Sequence, residues 1–286
     1  MSSAATEHAT PPGRPPRALN VVRDPRPEDV GAAVDWSSWY LSDEDDMGEG
    51  TEQGEIIDIL KSVLRELAAE RGWSRVFIGS DQFFAWVPEE PMVRVSPDVY
   101  LLDDPPPPPL PASWQTWREG HRAPRFAVEI VSGDEQHPDR WRKDYDQGPQ
   151  KYAQLGTREL MIFDPQAALG QARDPQRVAL QCYRREADGG FVRVYAGKGP
   201  CASAELAAFL VVVSDGTVAR LRIARDPQGQ DWVPTAREAR DSERRALETE
   251  REARERAERE LAELRARLSR LEGPALGPAL GPPLGK

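Results

Sequence analysis

Val95-Ser96-Pro97-Asp98-Val99-Tyr100 and Phe126-Ala127-Val128-Glu129-Ile130-Val131 are the two stretches on which the fold turns. Each reads as a strand from its β-branched and aromatic residues. Yet each carries one carboxylate among apolar neighbours. A carboxylate removed from water without a partner costs several kcal/mol, so Asp98 and Glu129 need either a way to solvent or a neutralising group. A hard divalent cation such as Mg²⁺ (or Mn²⁺) serves both, because it takes carboxylate oxygens and keeps several waters. Taken singly, an aspartate after proline is commonly a turn residue, and a strand glutamate commonly faces water at an edge. Their succession on two strands is what favours a metal.

Working outward, Glu52 to Arg71 is a helix, with Ile56, Leu60, Val63, Leu64 and Leu67 at three- and four-residue spacing. Thr51 suits its N-cap, Glu52 and Glu55 its first turn, and Gly72 its stop. Arg75 to Gly79, Asp81 to Val87 and Met92 to Leu102 read as strands, with a turn at Pro88 to Pro91. The proline run Pro105 to Pro109 enters neither helix nor ladder and favours an extended spacer. Trp114 and Trp117 fall in the loop beyond it. After the Phe126 to Ser132 strand, a helix spans about Pro149 to Leu155, with proline in its first turn and Gly156 at its exit.

Leu160 to Phe163 is a further buried strand, ended by Asp164-Pro165. Val178 to Arg184 and Phe191 to Tyr195 join through Asp188-Gly189-Gly190, and Phe209 to Val213 joins Val218 to Ile223 through Asp215-Gly216. Helix, strands, helix, strand and hairpins make an α/β protein with a mixed sheet. The expected organisation is a tail over 1–24, a folded domain over 25–226, a charged helix over 233–272 and a Gly-Pro-Ala-Leu tail over 273–286. Heptad phase in that helix places Leu247, Leu261 and Leu268 at one core position and Ala257, Leu264 and Leu271 at the other. Glu250 and Arg254 interrupt the earlier heptads, so the seam is a short coiled coil or the helix stands solvated and single.

The formal charge of −10 is concentrated in part between Ser42 and Glu55. No basic stripe of the kind that tracks a phosphate backbone stands out, which speaks against tight nonspecific nucleic-acid binding. Two cysteines, Cys182 and Cys201, lack zinc-ligand spacing and read as packing residues. His8, His121 and His137 are scattered, and the glycines near Gly189 belong to a hairpin instead of a phosphate cradle. No opening signal segment and no run of about 18 apolar residues is present, so a cytoplasmic location is expected and a membrane one is not.

Ser96-Pro97-Asp98-Val99, then Val128-Glu129-Ile130-Val131-Ser132, Lys151-Tyr152-Ala153-Gln154-Leu155-Gly156, Glu159-Leu160 and Ile162-Phe163-Asp164-Pro165 follow one another in a particular order. In that order they resemble the Uma-two family of restriction-endonuclease-like proteins, within the PD-(D/E)XK nuclease superfamily. The resemblance covers about Leu41 to Ala224. It implies a central mixed sheet flanked by helices, a divalent metal, a nucleic-acid substrate and an endonuclease's phosphodiester hydrolysis. It assigns Asp98 and Glu129 as metal ligands and catalytic residues. An acidic residue at the start of the first helix, Glu52, is a further ligand by the same resemblance.

The superfamily lysine two residues after Glu129 is replaced by Val131, and the alternative position four before Tyr152 is Gly148. Lys151, three residues beyond Gly148, shares a helix face with it and is the candidate for the lysine's electrostatic role; Lys143 is the reserve. Ser132 is expected to hydrogen-bond the site, and Tyr152 to pack. The displaced lysine also motivates a second reading: a nuclease fold without cleavage, assembled as a homo-oligomer or with a helical partner through 247–271.

Overall fold

A computed structural model describes residues 51–132, 141–187 and 189–272. The expected tails, the side chain of the N-cap candidate Thr51, Asp188 of the hairpin, His8, His137 and most of the acidic Ser42 to Glu55 segment lie outside the described residues, as do the side chains of Leu271 and Glu272. The chain divides into two units, Met1–Thr235 and Ala236–Lys286.

In the first unit the described elements open with helix α1 (Thr51–Glu70), followed by strands β1 (Val76–Gly79), β2 (Phe84–Ala85), β3 (Arg94–Val95), β4 (Val99–Asp103), β5 (Trp114–Gln115) and β6 (Phe126–Ile130). A π-helical turn, Lys143–Gln147, runs into α2 (Gly148–Leu155). Strand β7 (Glu159–Phe163), the short α3 (Pro165–Ala168), β8 (Leu180–Arg185), β9 (Phe191–Gly197), β10 (Cys201–Ser203), β11 (Ala208–Ser214) and β12 (Ala219–Ala224) complete it. The main sheet runs β1-β4-β6-β7-β8-β9. Only its β6–β7 pair is parallel, joined across α2, and the other neighbours are antiparallel. This is the expected mixed α/β sheet flanked by helices.

Alternation along the strands sends side chains to two cores. On one face Val99, Leu101, Val128, Ile130, Met161 and Phe163 meet Ile56, Leu60, Leu64 and Leu67 of α1, together with residues of the small β10-β11-β12 sheet. On the other, Tyr100, Leu102, Ala127, Val131, Leu160 and Ile162 meet Tyr152 and Leu155 of α2 and Phe84, Val95 and Trp114 of the β3-β2-β5 sheet. Odd positions of β6 and even positions of β4 therefore face α2.

The structure differs from the strand pattern in three places. Met92 to Leu102 is two strands, because Pro97 cannot donate to a ladder and Asp98 stands at the break. Asp81 to Val87 shrinks to Phe84–Ala85. Trp114 belongs to a strand: β5 pairs in parallel with β2, and the indole is fully buried, donating to the Tyr100 hydroxyl at 2.9 Å. Gly156 ends α2 in the left-handed conformation (φ 99°), as its place after Leu155 predicts. Asp164 caps α3 by accepting from the Ala167 N–H at 2.9 Å.

The second unit's described part is α4 (Ala236–Glu272), a helix of 37 residues. Its leucines Leu247, Leu261, Leu264 and Leu268 are exposed, and arginine–glutamate pairs four apart, such as Arg251–Glu255 and Arg254–Glu258, lie along it. Such pairs support an isolated helix by only a few tenths of a kcal/mol each. No helix among the described residues is long and apolar enough to cross a membrane.

Candidate functional site

The register of β4 and β6 brings the two carboxylates together. Val99 pairs with Val128 in antiparallel register, so one step further Asp98 stands opposite Glu129. Glu129 points to the α2 side of the sheet, and Asp98, just ahead of β4, lies within reach of the start of α1. Asp98 is buried at 7 % exposure and Glu129 is half-buried. Asp98 accepts from the Ile130 backbone N–H at 2.5 Å and from the Gln53 amide at 2.7 Å. Glu129 accepts from the Tyr152 hydroxyl at 2.5 Å.

Burial raises the Asp98 carboxyl to about 7, against the stabilising bonds from Ile130 and Gln53. Glu129 is pushed well above the ordinary glutamate range, first by burial and then by the charges of Asp98 and Asp144. Tyr152 is fully buried and held strongly protonated by burial and by Glu129, so its hydroxyl is a donor. Tyr152, expected only to pack, therefore also touches the carboxylate pair.

Asp144 is the acid that sequence reasoning missed. The π-helical turn carries it beside α2, where the Ser132 backbone N–H hydrogen-bonds it; Ser132 thus reaches the cluster through its main chain. Burial and the charge of Asp98 raise Asp144 to about 7, while Lys143 and Lys151 draw it down. Lys151 is buried and Lys143 exposed, so both candidate lysines act on this carboxylate, from different environments. Asp144 sits in a charged run that reads as solvated, and π-helical turns leave no strong periodic mark in a sequence. They do recur at functional sites.

The structure does not bring Glu52 to the pair. Its side chain is exposed, and the adjacent Gln53 reaches Asp98. At about 100° per residue, the apolar stripe of Ile56, Ile57, Leu60 and Leu64 is centred on the direction of Gln53, with Glu52 at its border. Glu55 forms an ion pair with Arg220 of β12 at 2.6 Å. Val131, at the superfamily's lysine position, is buried in the apolar cluster on the α2 side. Gly148 is the buried first residue of α2, and a β-carbon added there would meet nothing within 4 Å.

The family model named Uma2 and described as "Putative restriction endonuclease" matches residues 45–206. The chain belongs to the Uma2 family. Among solved structures this Uma2 chain is similar to a crystal structure titled as a "putative nuclease belonging to DUF820" from Anabaena variabilis ATCC 29413. Identity is 13%, the match covers 56% of this chain and 76% of that one, and the TM-score is 0.38. No curated protein matches the chain.

Whether a cation suits the Uma2 site is a question for its own donors. Two opposed carboxylates carry more negative charge than their surroundings stabilise, which is what a hard cation would relieve. Among the described residues, no group of three His, Cys, Asp or Glu side chains is placed to hold an ion. Water, backbone or substrate oxygens would have to complete the shell, as magnesium commonly requires.

Proposed function

We propose that this Uma2 chain is an endonuclease hydrolysing nucleic-acid phosphodiester bonds with a divalent cation, Mg²⁺ or Mn²⁺, held by Asp98 and Glu129. The observation that carries this reading is the opposed carboxylate pair, Asp98 buried and Glu129 half-buried, both raised above their ordinary range. A cation bound there supplies charge to polarise a phosphoryl oxygen and to make a water more acidic.

The chain's own groups then have separate tasks. Gln53 and the Ile130 N–H fix the Asp98 carboxylate, and Tyr152 fixes Glu129. Lys151 neutralises charge developing on the phosphoryl oxygens, with Asp144 holding its ammonium near the cluster; Lys143 is the reserve for that role. The described residues of the first unit carry these side chains.

Titration calorimetry with Mn²⁺ tests the metal: binding by the wild type, lost in Asp98→Ala, is expected, and affinity should rise as pH climbs through 7 because the ligands must be deprotonated. A wild type that binds no Mn²⁺ at pH 8 overturns the proposal. In a plasmid-nicking assay, metal-dependent cleavage should disappear in Glu129→Ala.

One observation favours a second reading, in which the fold persists without cleavage. Val131 lies in an apolar cluster and Gly148 has no side chain, so neither lysine position of the resemblance is filled. Mn²⁺ binding with no nicking of DNA or RNA would favour that reading.

A further inference from the structure

We propose that α4 pairs with α4 of a second copy as a parallel, in-register coiled coil over residues 257–272. On this helix Leu261, Leu264 and Leu268 are exposed at 49%, 57% and 57%, and the sequence continues the seam with Leu271. Leucines at three- and four-residue spacing form a stripe that a partner helix covers by knobs-into-holes packing.

Charge selects the occupant and its direction. With Leu261 at position a and Leu264 at d, the flanking e positions are Glu258, Arg265 and Glu272, and the g positions are Glu260 and Arg267. In a parallel, in-register pair each g residue faces the e residue five positions on in the other helix. Glu260 then faces Arg265, and Arg267 faces Glu272. Both contacts are attractive, and four leucine layers meet like with like.

The antiparallel arrangements do not satisfy both conditions. Matching Leu264 with Leu268 and Leu261 with Leu271 keeps the leucine layers. In doing so it sets Arg265 against Arg265, Arg267 against Arg267 and Glu258 against Glu272. Sliding by one heptad makes the flanks attractive but sets Leu268 against Ala257 and Leu271 against Arg254. The sequence is therefore self-complementary in one orientation. Arg254, the charged residue at the preceding a position, is drawn toward the flank by Glu258 at 3.0 Å, which leaves the seam's upstream end open to water.

Two heptads make a weak dimer whose population follows mass action. Sedimentation of the full chain should show two-chain mass at about 100 μM and dissociation on dilution. Leu264→Glu should be a single chain throughout, with unchanged helical content by circular dichroism. Glu260→Arg should weaken dimerisation roughly tenfold, and adding Arg265→Glu should restore it. Leu264→Cys should cross-link to its own counterpart under mild oxidation, since only the parallel register sets position 264 against itself.

One-chain mass at every concentration overturns the proposal, as does three-chain mass. Undiminished dimerisation of Leu264→Glu assigns assembly to another surface. Failure of Leu264→Cys to cross-link in a dimer overturns the parallel register.

Discussion

Carboxylates in and beside the main sheet stand in two kinds of setting, treated in opposite ways. At the β7 end, Asp164 takes a bidentate guanidinium from Arg177, at 2.7 and 2.9 Å, and both side chains are fully buried. Glu159, at the opposite end of β7, is fully buried and receives Arg184, the Ser203 hydroxyl and the Ala204 N–H. At the β4–β6 end, Asp98 and Glu129 face each other and take an amide, a backbone N–H and a phenol. A carboxylate with an arginine is a finished structural unit. An opposed pair fixed by neutral donors has its geometry set, but burial and mutual repulsion hold both carboxyls above their ordinary range.

Breaking the finished unit should have the largest effect. Arg177→Ala leaves a buried Asp164 unpaired and should destabilise the fold by about 3–5 kcal/mol, read from urea unfolding. It should also loosen the π-helical turn, because the Tyr145 hydroxyl donates to Asp164 at 2.9 Å. A variant as stable as the wild type would erase the contrast.

Removing charge from the other end should do the reverse. Asp98 is raised from 3.8 to about 7 by burial, so the unfolded chain loses its proton more readily than the folded one. The contribution from the protonated form is fully present below pH 3.8 and is lost as pH rises through 7. At about 1.4 kcal/mol per pH unit, that loss approaches about 4 kcal/mol at pH 8. Metal-free Asp98→Asn should therefore be more stable than the wild type at pH 8 and equal to it near pH 4. Mn²⁺ should raise the melting temperature of the wild type at pH 8 and leave that of Asp98→Asn unchanged.

Smaller effects separate the groups that fix the pair. Tyr152→Phe keeps the buried ring but removes the donor to Glu129, and should weaken Mn²⁺ binding about 10–100-fold, as loss of an orienting partner typically does. Gly148→Lys, into open space at the start of α2, should raise nicking if a lysine in that position serves the site; unchanged nicking would leave the role with Lys151 or Lys143. Smallest is the α1 pair. Gln53→Ala should lower Mn²⁺ affinity severalfold, whereas Glu52→Ala, a change to an exposed side chain, should alter stability by less than about 0.5 kcal/mol.

Much of this was legible in the chain. The apolar spacing of α1, the glycine exit of α2, the hairpin through Asp215-Gly216 and the strand reading around Glu129 all follow from local chemistry, because helix and strand periods show directly in which residues are apolar. Asp98 and Glu129 stood out for the same reason, as charges where the pattern called for none. Trp114 did not read as a strand residue, since two-residue strands are too short to show a period.

By itself the sequence determined the α/β class and two carboxylates in need of a partner. Tertiary structure decided which groups surround them. The antiparallel register set Asp98 opposite Glu129, helix rotation chose Gln53 over Glu52, and a π-helical turn carried Asp144 beside them. Each of these depends on the relative placement of elements distant in the chain, and a linear pattern holds no distance between strands. The charge that sequence exposed as unexplained became, through packing, a specific constellation of three acids, a tyrosine and two lysines.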